Sequence, residues 1–251
     1  EAGKLIRLAI PVFLGQIALI GMSFVDPVVA GRYAAVDMAA VAVATSFWIP
    51  GIMFGQGLLM AITPLVAQAL GAGNIRESGR FLRQGFWLAL VISILLMLLF
   101  RGISIGLPQW NSMEPQLAQK AGEYLFAVMW GAPALMLFCV QRSFLEGHGR
   151  TRPAMVAGFL GLALNIPLNV TFVFGEFGLP ALGAAGCGVA TAILFWIMAA
   201  SMLIIVYRTA PQAPGLEKPS GTVLGRIVHI GLPGAFAMLN ETAAFALIAL
   251  I

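Results

Sequence analysis

The sequence predicts an all-α integral membrane fold, a six-helix bundle followed by the first helix of a second bundle. Hydrophobic residues make up 60% of the chain and charged residues 10%, against about 25% charged in soluble domains. A soluble fold of 251 residues has no means of hiding so much apolar surface, whereas a lipid-facing surface needs no polar skin. The apolar residues also gather into runs of membrane-spanning length. The lysines and arginines stand at the ends of those runs, mostly on one side.

A span needs about 20 mainly apolar residues. Seven runs qualify, at 5–31, 40–69, 84–106, 122–145, 154–174, 182–206 and 227–251. The first has no small-residue cleavage site and continues into a full span, so it reads as a retained helix and not a signal peptide. The second belongs to a stretch from Met38 to Ile75 without a single charge. At 1.5 Å per residue that stretch is about 57 Å, too long for one upright helix and too short for two spans with a turn. It is expected to form one long helix, bent near Pro50-Gly51 and Pro64, with its last turns outside the lipid. The last run is still apolar at Ile251, and the chain opens on Glu1 without an initiator Met. The sequence is therefore expected to be a piece of a longer protein.

Orientation follows from Lys and Arg. If the N-terminus and the loops after spans two, four and six share one side, that side holds Lys4, Arg7, Arg76, Arg80, Arg83, Arg142, Arg150, Arg152, Arg208, Lys218 and Arg226. The other side holds Arg32, Arg101 and Lys120. This positive-inside bias predicts a multi-pass protein with a cytoplasmic N-terminus. The stretch TAPQAPGLEKPSGT, Thr209–Thr222, is the one linker-like segment. The chain accordingly divides into a bundle at 1–208, a cytoplasmic linker at 209–226 and the first helix of a second bundle at 227–251. Lys4-Leu-Ile-Arg-Leu-Ala-Ile-Pro11 aligns with Arg226-Ile-Val-His-Ile-Gly-Leu-Pro233 at a constant offset of 222. Two halves repeating in the same order across the membrane is a transporter plan.

The net charge of +4 does not point to nucleic acid, because the basic residues are scattered and form no stripe. Cys139 and Cys187 both lie inside apolar runs and read as helix-packing residues. The chain has no CxxC, no HExxH and no Gly-rich phosphate loop, and His148 and His229 are far apart. No His, Cys or Ser constellation supports enzymatic chemistry, a resident metal or a cofactor. The methionines and phenylalanines suit either an adaptable cavity wall or ordinary membrane packing.

Polar groups in lipid carry the functional signal. A mid-membrane carboxylate costs about 2.5–3.5 kcal/mol on insertion scales and usually has a function. Asp26 lies deep in span one, behind the uncharged residues 8–25, toward the outer half of the bilayer. Pro27 follows it and cannot donate to the carbonyl of Ser23. A carboxylate beside a freed carbonyl is a candidate cation or proton site, or else a structural cap on the outer end of the helix. Asn165 and Asn169 flank Pro167 at i, i+4, so both amides leave one face of span five. They can bond the Asp26 carboxyl, give carbonyl oxygens to a cation such as Na⁺ at Asp26, Asn165 and Asn169, or simply join helices. Thr191 in span six is a weaker candidate among small packing residues. Glu241, in span seven, suits a cavity that attracts a cationic compound. Arg101 and Glu123 sit near span ends, where they can snorkel.

The segments MSFVDPVVAGRYAAVDMAAVAVATSFWIP (Met22–Pro50), GLLMAITPLVAQALGAGN (Gly57–Asn74), RPAMVAGFLGLALNIPLN (Arg152–Asn169) and LGAAGCGVATAI (Leu182–Ile193) resemble the multidrug and toxic compound extrusion (MATE) transporters, most of all the bacterial NorM-type branch. The resemblance covers essentially the whole chain. It implies twelve helices in two six-helix bundles, residence in the bacterial inner membrane, and export of cationic, amphipathic drugs by alternating access in exchange for H⁺ or Na⁺. No cofactor is implied; the partners are the drugs, the lipid and the remaining bundle. The family's proton or cation site in the first bundle falls on Asp26, Asn165, Asn169 and Thr191. The helix-seven carboxylate of the cavity falls on Glu241, and the proline associated with bending of helix one on Pro11, with Pro27 a second bending point. Some relatives carry an acid where this chain has Asn169, which removes a charge from the site. A lipid-linked precursor flippase of a related fold is the alternative. It would favour a strongly cationic cavity, whereas the deep groups here are acidic.

Overall fold

The computed structural model describes residues 2–109, 113–210 and 217–248, with the side chains of 2–9, 11, 12, 177 and 242–248 outside the description. Nine α-helices run through these residues: α1 (Ala2–Tyr33), α2 (Ala35–Leu59), α3 (Ile62–Gly71), α4 (Ile75–Gly106), α5 (Pro115–Val128), α6 (Ala132–Gly147), α7 (Arg152–Phe174), α8 (Ala184–Thr209) and α9 (Gly221–Ile248). Seven helical segments are long and apolar enough to cross a bilayer. They follow the seven runs of the sequence, because α2 with α3, and α5 with α6, each form one interrupted span.

The interruptions have local causes. The uncharged run breaks at Met60–Ala61, and the helix continues through Pro50, where a bend was expected. Proline clashes with the carbonyl four residues before it, and for Pro64 that carbonyl belongs to Met60. The amide of Thr63 instead bonds the Met60 carbonyl at 3.1 Å, a tighter turn. A short 3₁₀ turn, Met129–Gly131, breaks the fourth span in the same way, four residues ahead of Pro133. Helix α4 starts at Ile75, well before the expected 84. Asn74 caps it, accepting from the Glu77 amide at 3.1 Å while its own amide donates to the Glu77 carboxylate at 3.0 Å. Helix α9 likewise starts at Gly221 and not at 227. Residues 249–251, the end of the seventh expected span, and 211–216 of the expected linker lie outside the described residues.

The bundle is apolar on its outside. Leu90, Val91, Ile94, Leu95, Leu98 and Leu99 of α4 are all exposed, a face suited to acyl chains. Its buried residues include Asp26, Asp37, Gln84, Gln141, Asn165, Asn169 and Thr191. Helix α8 packs against α5, α6 and α7, and α7 packs against α1. The α1–α7 seam is built on small residues: a Cβ on Gly158 would stand 3.4 Å from both the Gly15 carbonyl oxygen and the Ala18 Cβ. Helix α9 lies on α2, where a Cβ on Gly57 would come within 2.7 Å of the Ala235 Cα.

Candidate cation-binding site

Asp26 lies in α1, two turns before its end at Tyr33. The helix is continuous through both Pro11 and Pro27, and the Pro11 side chain lies outside the described residues. The α1–α7 seam carries Asp26 against Asn165 and Asn169. Those two residues continue the face of Gly158 and Gly161 on α7 at helical spacing. Helix α8 closes the third side with Thr191, and α5 the fourth with Tyr124.

The carboxylate is 6% exposed and accepts four hydrogen bonds. Oδ1 receives Asn169 Nδ2 at 2.9 Å and Asn165 Nδ2 at 3.4 Å. Oδ2 receives Thr191 Oγ1 at 2.8 Å and the Tyr124 hydroxyl at 3.4 Å. The second amide proton of Asn169 goes to the backbone carbonyl of Asn165 at 2.9 Å, and the Cys187 thiol meets the Asp26 carbonyl at 3.5 Å. Two amide groups and two hydroxyls, all neutral, surround the carboxyl; the amides donate to it, and the hydroxyls can donate to its ionised form or accept from its protonated form. The side-chain oxygens Asn165 Oδ1 and Asn169 Oδ1 are buried and have no hydrogen-bond partner. Buried amide oxygens are ordinarily satisfied, so this pair marks a place where a cation or an O–H would be accepted.

The charge balance is equally informative. The other buried aspartate, Asp37, pairs with Lys120 at 2.5 Å. Asp26 has no ion pair among the described residues. An uncompensated buried charge is costly, and these groups together could accept a cation or a proton.

The structure thus joins Asp26, Asn165, Asn169 and Thr191 in one cluster. Glu241 is exposed on α9 and is not among the partners of Asp26. Ser23 is exposed, and its hydroxyl donates to the Ile20 carbonyl. Tyr124 was missed by sequence reasoning. A tyrosine inside an apolar run was the available signal, because a buried phenol seeks a partner. Both cysteines are free and buried, as expected. No group of three or more His, Cys, Asp or Glu side chains able to hold a metal occurs among the described residues.

The model of the MatE family matches residues 11–171. The chain belongs to the MatE family. It is 47% identical over 256 aligned positions to the multidrug resistance protein MdtK of Klebsiella pneumoniae (strain 342), covering 100% of this chain and 56% of that protein. Among solved structures it is 33% identical to the MATE transporter NorM-NG in complex with a monobody, with a TM-score of 0.78 over 98% of this chain and 55% of that one. The eukaryotic MATE transporter AtDTX14 shares the fold at 20% identity, with a TM-score of 0.86 over 99% of this chain and 55% of that one. The chain therefore spans about half the length of the relatives it matches. Family and fold together make it a multi-pass membrane protein.

Proposed function

We propose that this chain is the N-terminal half of a secondary active multidrug exporter, and that Asp26 is where its coupling cation, H⁺ or Na⁺, is exchanged. The observation that carries the reading is a buried carboxylate held only by neutral donors, beside two unpartnered amide oxygens. A proton on Asp26 would turn an acceptor into a donor, to be received by the hydroxyl oxygen of Thr191 or Tyr124 or by an amide oxygen of Asn165 or Asn169. A Na⁺ ion would take the carboxylate and those same amide oxygens. In either case the bonds tying α1 to α5, α7 and α8 rearrange.

Helix α1 would absorb the change through its prolines, Pro11 and Pro27, which weaken its hydrogen-bond ladder. Closing the cavity of the first bundle in this way expels a cationic, amphipathic drug outward, and cation release to the cytoplasm resets the helix. Glu241, on α9, would face that drug from the second bundle, with Asp26 on the opposite wall. The N-terminus is cytoplasmic in this reading, the location is the bacterial inner membrane, and the protein is a transporter with no cofactor. The name of the MdtK relative supports the substrate class.

The test uses the full-length transporter in liposomes, with drug efflux driven first by a proton gradient and then by a sodium gradient. Asp26→Asn is expected to abolish coupled efflux with both. Retention of full coupled efflux by that variant would sink the proposal.

A further inference from the structure

The second buried aspartate lies outside the Asp26 cluster yet connects two of its four donors. Asp37 stands in the first turn of α2 and is 1% exposed. Its Oδ2 accepts from Lys120 Nζ at 2.5 Å, and its Oδ1 accepts from the backbone amide of Ala184 at 2.7 Å. Lys120 belongs to α5 and Ala184 is the first residue of α8. Tyr124 follows Lys120 by one turn and Thr191 follows Ala184 by two turns, so each donor shares a face with the residue that Asp37 holds.

The backbone is shaped for this contact. Gly183 has φ +55°, a conformation that side-chain-bearing residues rarely adopt, and a Cβ there would stand 2.5 Å from Asp37 Oδ1. A carboxylate is also well placed at the positive end of α8. The two donors to Asp26 Oδ1, Asn165 and Asn169, come from α7, and among the described residues the hydrogen bonds of Asp37 go to α5 and α8.

We infer that Asp37 is a positioning residue of the Asp26 site: through Lys120 it fixes the register of α5, and through the Ala184 amide that of α8, so that Tyr124 and Thr191 converge on Asp26 Oδ2. This rests on the reading that Asp26 exchanges the coupling cation. A buried ion pair that only stabilises the fold would weaken all four donors alike. Positioning singles out two of them.

The experiment is a set of double-mutant cycles on cation-driven efflux by the full-length transporter in liposomes. Residues acting in one network couple, and independent ones multiply. Asp37→Ala is expected to lower coupled efflux about tenfold. On that background Thr191→Val should cost less than about twofold more, because the donor it removes is already displaced. Asn169→Ala should cost its full single-variant factor on either background. An Asp37→Ala protein within about twofold of wild type, or an equal Thr191→Val factor on both backgrounds, overturns the inference.

Should Asp37→Ala fail to fold, Lys120→Met removes only the α5 arm, at a side chain that is 27% exposed. It should then be less than additive with Tyr124→Phe and fully additive with Thr191→Val, and the reverse pattern overturns the inference. Asp26→Asn serves as the reference. If it keeps coupled efflux, the site reading falls and this inference with it. If it loses coupling while the Asp37 cycles are additive, only this inference falls.

Discussion

Replacing Gly183 by alanine tests the Asp37 junction without touching a charged group. Two costs are expected. The backbone at Gly183, φ +55° and ψ −130°, lies where side-chain-bearing residues cost about 1–3 kcal/mol. The new methyl would also stand 2.5 Å from Asp37 Oδ1, so the carboxylate must retreat from the Ala184 amide it now meets at 2.7 Å. Hydrogen bonds to charged groups contribute about 1.5–3 kcal/mol. The sum is about 2.5–6 kcal/mol.

Gly149 supplies the control. It also has positive φ, +69°, but a Cβ there meets nothing within 4 Å. Gly149→Ala should carry only the backbone cost, about 1–2 kcal/mol. Unfolding both variants with a denaturing detergent in mixed micelles, followed by far-UV circular dichroism, gives the difference. The excess for Gly183→Ala should be about 2 kcal/mol, and it should shrink when Asp37 is already alanine. Two variants within about 0.5 kcal/mol of each other would refute the reasoning, because the Asp37–Ala184 contact would then contribute nothing.

Other perturbations reach other parts of the molecule. Thr191→Val removes the 2.8 Å bond to Asp26 at nearly constant volume and should cost about 1.5–3 kcal/mol in the same unfolding assay. Asn169→Asp puts a second carboxylate where an amide now donates to Asp26 Oδ1 at 2.9 Å. Two such carboxylates cannot both ionise unaided, so thermal stability of this variant should rise with added Na⁺ more than that of wild type. Gly57→Leu drives a side chain into the Ala235 backbone and should part α9 from α2, read as loss of a disulfide cross-link between cysteines placed on the two helices. The Glu217 carboxylate bridges Arg80 and Arg83 at 2.9 Å each, and its carbonyl accepts from Trp87 Nε1 at 2.8 Å. The hydrogen bond from Arg83, above all, holds Glu217 below the ordinary glutamate value of 4.5. A lowered carboxylate stabilises the contact between Glu217 and α4 fully above that ordinary value and loses its effect as pH falls through the lowered one. Trp87 fluorescence should therefore change only on acidification below about pH 4.5, and Glu217→Gln should show the acid signal at neutral pH.

Much of the fold was legible because lipid enforces a simple rule. A spanning helix must be apolar along its length, and seven such runs stood out. The interruptions were harder. Pro50 and Pro64 look alike in sequence, yet the helix breaks only ahead of Pro64, and whether a freed carbonyl is tolerated depends on packing partners a sequence does not name. Charges near helix ends misled in both directions. Arg76, Arg80 and Arg83 suggested a loop where α4 already runs, because Asn74 and Glu77 cap it early. Asn165 and Asn169 were candidates from spacing, since they share a face, but helix joining explained them equally well; Thr191, a hydroxyl among small residues, read first as packing, and it was the family resemblance that drew all three to Asp26. Tyr124 could not be placed, because nothing in a sequence says that α5 meets α8 at that height. Asp37 and Lys120 are 83 residues apart, and nothing in the sequence pairs them.

The two buried aspartates solve the same problem in opposite ways, and the difference is the argument for function. Asp37 is neutralised by an ammonium and a helix-terminal amide, so it has no electrostatic reason to bind anything further. Asp26 receives only neutral donors, drawn from three helices besides its own. A bundle seeking stability alone could satisfy a polar position with an amide in place of a carboxylate, at a far lower desolvation cost. A carboxyl kept without a counter-charge, bonded from α5, α7 and α8, is the observation on which the proposed exchange of a cation at Asp26 rests. The Asp37 pair fits that proposal through geometry: its contacts with Lys120 and the Ala184 amide tie α2 to α5 and α8, the helices that bring Tyr124 and Thr191 to Asp26.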